Sequence, residues 1–336
     1  MNGFTTKGGK IVAKIKRNLG VLRMLFEETT EIGIPCWKVS ADLVKCRLRW
    51  GASPGDYLFF RFHELDESQK SSYVTSLLNS KLIATYNKKE FITYFEDKTL
   101  FATTFADFFG RDWISLQGLE LGGFTEFIAD KRYIIYKPLT GMQGRGVEKL
   151  DSQQFANATS LYQNIRDRYG SSGIIEDWIM QHESISNIYS EAINPIRVIT
   201  ILQNGDCNIL HSTITIAKDG DIAKVGRGGM VAPIDPGNGR IKFPAQDGAG
   251  RIYESHPVTG TRILGFEIPY WRDIVAMVDK ASKVIPQIGY VGWDVAVTAQ
   301  GPILIEGNHN PGYRYQQMPA HLPEKIGNRS LYERFL

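Results

Sequence analysis

Two stretches of this 336-residue chain carry residue types whose spacing suits chemistry. The first is residues 289–313, GYVGWDVAVTAQGPILIEGNHNPGY, in which two strand-like runs flank Ala299-Gln300-Gly301. A three-residue hairpin loop with Gly last is a common solution, because that position takes positive φ. In that register Thr298 pairs with Pro302, Asp294 faces Glu306, and Asn308 follows two residues on, on the same face. Trp293, Val295, Val297, Ile303 and Ile305 then make the opposite face, of core type. Directly opposed carboxylates repel one another. A hard cation between them removes that cost, and Asp, Glu and Asn oxygens suit Mg²⁺, which keeps its other positions for water and phosphate oxygens. The competing solution is a buried acid pair satisfied by Arg or Lys.

The second stretch is residues 133–150, YIIYKPLTGMQGRGVEKL. An apolar strand ends in Lys137, and a loop with Gly141, Gly144 and Gly146 follows. So few side chains let backbone N–H groups line a nest for phosphate, with Lys137 adding charge. No Gly-Lys-Ser/Thr follows, and the spacing GxxGxG differs from the dinucleotide fingerprint GxGxxG. Alone, the stretch is equally a tight hairpin without a ligand.

With both features in this order the chain resembles the ATP-grasp superfamily. The resemblance implies that Lys98 in EDKTLF and Lys137 contact ATP phosphates, and that Gln143, Gly144 and Gly146 belong to a loop closing over the nucleotide. It implies that Glu176 in IIEDWI binds the adenine amino group and that the backbone amide of Ile179 binds the ring. Asp294, Glu306 and Asn308 are then the ligands of Mg²⁺, two ions being expected. Arg197 in NPIR points at the γ-phosphate or an acyl-phosphate, or pairs with a structural carboxylate. Arg227 sits among glycines in VGRGGM and is a second candidate catalytic cation. EDWIMQH, NPIRVIT, HPVTG, GFEIPYW, GWDVAVT and GPILIEGN look more narrowly like the sugar-transfer-associated ATP-grasp family, over roughly residues 50–315. Where an Asp-Asn pair is expected near Gly226–Gly229, the chain has GGMVAPID. The activity implied is ATP- and Mg²⁺-dependent carboxylate–amine ligation through an acyl-phosphate, on a uronic acid or amino sugar together with an amino acid, in bacterial capsule, O-antigen or exopolysaccharide assembly. A kinase-type phosphotransferase and a non-catalytic nucleotide-sensing subunit remain open.

The mix of strands and helices suggests α+β layers with antiparallel sheet, and the resemblance implies an ATP-grasp fold, two such lobes gripping ATP, preceded by a mainly helical region. The expected divisions are 1–95, 96–178 and 179–336. Strands are predicted near 132–137, 174–179, 196–203, 207–217, 289–298 and 302–307, and helices near 152–169 and 271–285. Residues 10–28 place Ile11, Ile15, Leu19, Leu22 and Phe26 at helical spacing, opposite Lys10, Lys14, Lys16, Arg17 and Arg23. Such a helix either packs on its own domain or lies on an acidic inner-membrane surface.

Composition bounds the rest. The chain is 43% hydrophobic and 22% charged with net charge +3, too little to suggest nucleic acid. Residues 1–50 carry ten Lys/Arg against four Asp/Glu, a net of +6, so the remainder is acidic. No apolar run spans a membrane, no secretory leader is apparent, and three scattered cysteines fit a reduced cytoplasm. Histidines 211 and 256 read as structural, and no Ser-His-Asp, Cys-His or zinc pattern is present.

Overall fold

The computed structural model describes residues 7–139, 146–220 and 223–336. The chain forms two compact units, residues 1–85 with 312–336 and residues 86–311.

In the first unit the leading helices are α1 (Lys7–Glu31), α2 (Cys36–Trp50) and α3 (Pro54–Phe59). Their core joins Leu25, Val39, Cys46, Tyr57, Phe60, Phe62 and Tyr73. Ser53-Pro54-Gly55-Asp56 starts α3 as a capping box with Pro at the first helical position: Asp56 N donates to Ser53 Oγ (3.1 Å), and Ser53 N donates to Asp56 Oδ2 (2.8 Å). The buried Asp56 carboxylate also accepts from Ser76 N (3.0 Å), Tyr313 OH (2.6 Å) and Arg314 Nε (2.9 Å), which ties the C-terminal segment to the helices. Of the predicted α1 stripe, Phe26 packs on the core but Leu19 is exposed, and Leu25 is buried instead. The side chains of Lys10, Ile11, Lys14, Ile15 and Arg17 lie outside the described residues.

The second unit holds two antiparallel sheets. The smaller has the order β1 (Trp113–Ser115), β4 (Ile174–Asp177), β2 (Tyr133–Lys137), β3 (Glu148–Asp151). Its Ile134, Tyr136, Leu150 and Ile175 pack with Phe124 and Ile128 of helix Leu121–Ile128, and with Leu161 and Ile165 of helix Ala158–Tyr169. The larger sheet runs β11 (Gly301–Asn308), β10 (Tyr290–Thr298), β5 (Ile196–Gln203), β6 (Asp206–Ile216), β7 (Met230–Ile234), β8 (Ala245–Asp247), β9 (Ile252–Tyr253). Asn204 and Gly205, both at positive φ, form the tight turn between β5 and β6. Helix Trp271–Ser282 buries Trp271, Ile274, Val278 and Ala281 in a core shared with Val198, Val291, Trp293, Val295 and Leu304.

The β10–β11 hairpin departs from the expected register at its tip. Thr298 pairs with Gly301, not Pro302, so the loop is the two residues Ala299-Gln300. Val295 pairs with Leu304, the register shifts by one at Ile305, and Asp294 then pairs with Glu306 as expected. The extra residue is a β-bulge. It moves the core face by one position, so Leu304 is buried where Ile303 and Ile305 were expected.

Candidate active site

Three neighbouring strands place a row of charges side by side. Asp294 on β10 is opposite Arg197 on β5 and Glu306 on β11. Arg197 grips Asp294 with a two-pronged fork, Nε to Oδ1 at 2.7 Å and Nη2 to Oδ2 at 2.5 Å. Asn308 Nδ2 donates to Glu306 Oε1 (3.2 Å) and to Asp294 Oδ2 (3.4 Å). Gly292 keeps room beside the fork, since a Cβ there would lie 3.6 Å from Arg197 Cδ and 3.1 Å from Pro311. Burial, and then the charge of Asp294, push the Glu306 carboxyl above the usual range, against the pull of Arg197 and Lys137.

A second cluster lies on the small sheet. Glu176, buried on β4, accepts from Lys137 Nζ (2.7 Å) at the end of β2 and from Arg111 Nε (2.7 Å). Burial raises the Glu176 carboxyl, but Lys137 and Arg111 outweigh it and hold the carboxyl below its ordinary value. Burial lowers the Lys137 ammonium, which Glu176 partly offsets. Arg111 also donates to the carbonyls of Phe109 (2.9 Å), Leu304 (2.7 Å) and Ile305 (3.4 Å). It therefore spans from the small sheet to the bulge of β11. Nothing in the sequence marks Arg111, whose partners on β4 and β11 are far along the chain.

Lys98 stands between the clusters. It begins the helix Lys98–Thr104, capped by Asp97, and its backbone N–H donates to Leu139 O (3.1 Å), where the glycine loop leaves β2. Burial lowers its ammonium, opposed first by Glu306, then Glu176 and Asp97. Gly146 closes the loop at φ +76°; Gln143 and Gly144 lie outside the described residues. Ile179 is half-buried just after β4. There Lys149 lies 3.9 Å from the Trp178 ring centroid and 4.1 Å from that of Tyr133, a contact the sequence does not announce. Arg227 takes part in neither cluster and lies exposed on the short turn Val225–Arg227. His256 is buried, with Nε2 2.8 Å from Ala217 O and Nδ1 accepting from Val258 N and Thr259 N, a structural role.

Asp294, Glu306 and Asn308 are of the residue types that suit a hard cation, while the Arg197 fork is the competing solution, an acid satisfied by Arg. Asp294 and Glu306 lie side by side with Asn308 in reach of both, although here Asn308 turns its Nδ2 to them and Arg197 occupies both oxygens of Asp294. Among the described residues no group of three or more His, Cys, Asp or Glu forms a metal cage. Mg²⁺ needs few protein ligands and keeps water and phosphate for the remainder. Four cations, Lys98, Lys137, Arg111 and Arg197, already face three carboxylates.

Among solved structures the chain is similar to the ATP-grasp ligase PsnB complexed with minimal precursor (12% identity, TM-score 0.44, covering 74% of this chain and 62% of that one). It is also similar to the D-cycloserine synthetase DcsG (13%, 0.42, 85% and 82%) and to the D-alanine–D-alanine ligase from Coxiella burnetii (12%, 0.39, 72% and 60%). The chain thus spans less than two thirds of the first of these proteins. No curated protein sequence matches it. The model of sugar-transfer associated ATP-grasp proteins matches residues 77–322, most of the chain, and the chain belongs to that family.

Proposed function

We propose that the protein is an ATP- and Mg²⁺-dependent carboxylate–amine ligase. The observation that carries this reading is the row Arg197–Asp294–Glu306, closed by Asn308 and within electrostatic reach of Lys98 and Lys137. A carboxylate oxygen of one substrate attacks the γ-phosphorus of ATP, giving an acyl-phosphate and ADP. An amine nitrogen attacks the acyl carbon, phosphate leaves, the nitrogen loses a proton, and an amide forms. Mg²⁺ held by Asp294, Glu306 and Asn308 would shield the charge of the transferring phosphoryl group. Lys98, Lys137 and Arg197 supply fixed positive charge, needing no reorganisation as charge develops. Glu176 aligns Lys137, and with Ile179 it borders the adenine end. The family resemblance implies that residues 139–147, of which 140–145 lie outside the described residues, would exclude water from the acyl-phosphate. No side-chain nucleophile is required. Family membership favours a sugar substrate, a uronic acid or amino sugar joined to an amino acid in surface-polysaccharide assembly. A lipid-borne acceptor would bring the protein to the inner leaflet from the cytoplasm.

The test is ADP release across amino acids combined with uronic acids or amino sugars, with mass detection of the product. An amide formed with one ADP per product is expected, and it should be lost in Asp294→Asn and Glu306→Gln. A phosphorylated product without an amide would replace the ligase reading by a phosphotransferase one.

A further inference from the structure

The helical unit leaves one face of α2 uncovered. Trp37, Ala41, Val44 and Leu48 succeed one another at steps of four, three and four residues, so at about 100° per residue they form one narrow stripe. All four are exposed, with Trp37 at 68%, Val44 at 57% and Leu48 at 81%. Val39 and Cys46, on the opposite side of the same helix, are buried in the core. The helix is therefore apolar on two faces, and the core accounts for only one. Isolated exposed apolar residues are ordinary, but a continuous stripe marks an interaction surface.

Charge identifies what covers it. At the same angular step Lys38, Lys45 and Arg49 border the stripe on one side and Arg47 borders it on the other. The one acid of α2, Asp42, is turned inward, accepting from Lys70 Nζ (2.6 Å) and Tyr57 OH (2.8 Å). Glu67 pairs with Lys45 and Arg49 at 2.8 Å each, so four cations stand against one acid along the border. A second copy of the chain would bring the same cations to the same border and be repelled. A Trp-led apolar stripe between basic margins matches the boundary of an anionic bilayer, with Trp at the headgroups, Val and Leu in the acyl region, and Lys and Arg on lipid phosphates.

We propose that this face of α2 docks the protein, helix in plane, on an anionic lipid surface. The proposal is independent of the ligase reading, because docking is read without turnover. The test uses the full chain with vesicles of phosphatidylglycerol and phosphatidylcholine, and with phosphatidylcholine alone. Sedimentation with the anionic vesicles only is expected, weakening as salt rises. Trp37→Glu and Leu48→Glu should each lower the partition coefficient about tenfold or more, with the melting temperature unchanged because both side chains are exposed. Lys45→Glu should weaken binding less. No sedimentation with anionic vesicles, equal binding to both vesicle types, or unchanged binding by Leu48→Glu would each overturn the proposal. So would a concentration-dependent dimer that Leu48→Glu dissociates.

Discussion

At the scale of single residues the site is a set of charges that hold one another in place. Lys137 is half-buried against the buried Glu176. Replacing it by Ala removes a desolvated, charge-assisted contact worth about 2–3 kcal/mol, so the ATP requirement should rise roughly a hundredfold. ATP affinity within a factor of two of the parent would count against the phosphate role. Glu306 gives a pH prediction. Its carboxyl is pushed up by burial and by Asp294, and Mg²⁺ takes only the carboxylate form. Metal affinity should therefore climb as pH rises through that raised value and level off above it. Mg²⁺ titrations at a series of pH values check the sign; affinity falling with rising pH would remove Glu306 from the ligands.

At the scale of elements, the legible parts were those whose partners are near in sequence. The runs at β5, β6, β10 and β11 read as strands from their apolar patterns, and Asn-Gly at 204–205 is a pair that favours the tight turn found there. Asp294 and Glu306 could be paired on paper because one hairpin joins them. The tip was misjudged by one residue, since a bulge leaves no mark in residue type. β1, β3, β7, β8 and β9 were not predicted: they are short, and distant strands decide their pairing. Pro233 argues against β7 in particular, and is tolerated where it lies past the pairs made with β8. Arg111 was invisible for the same reason, its acceptor on β11 being 193 residues away. One element-scale prediction concerns Gly307, between Glu306 and Asn308. A Cβ there would meet the Phe95 ring at 2.9 Å and Phe101 at 3.1 Å. Gly307→Ala should push the strand off its core at a cost of about 1–3 kcal/mol and weaken Mg²⁺-dependent activity with it. A melting temperature and activity matching the parent would show that the rings give way freely.

At the scale of the whole molecule, two tethers carry consequences beyond their own contacts. Asp56, buried with four hydrogen-bond donors, fastens residues 312–336 to the helical unit. Asp56→Ala strands the Arg314 cation and two backbone amides, a loss of about 3 kcal/mol or more. Limited proteolysis should then cut within residues 312–336 at protease levels the parent withstands, and equal resistance would show that the anchor lies elsewhere. Arg111 is the second tether. One guanidinium serves the carboxylate proposed for the nucleotide end and the carbonyl next to Glu306 at the metal end, so the two ends share a free energy. Whatever factor adenosine exerts on Mg²⁺ affinity, Mg²⁺ must exert on adenosine affinity. Adenosine suits the measurement because it carries no phosphate to chelate the ion. In Arg111→Gln both ligands should still bind while that mutual factor shrinks toward one; an undiminished factor would mean that the two sites communicate by another route.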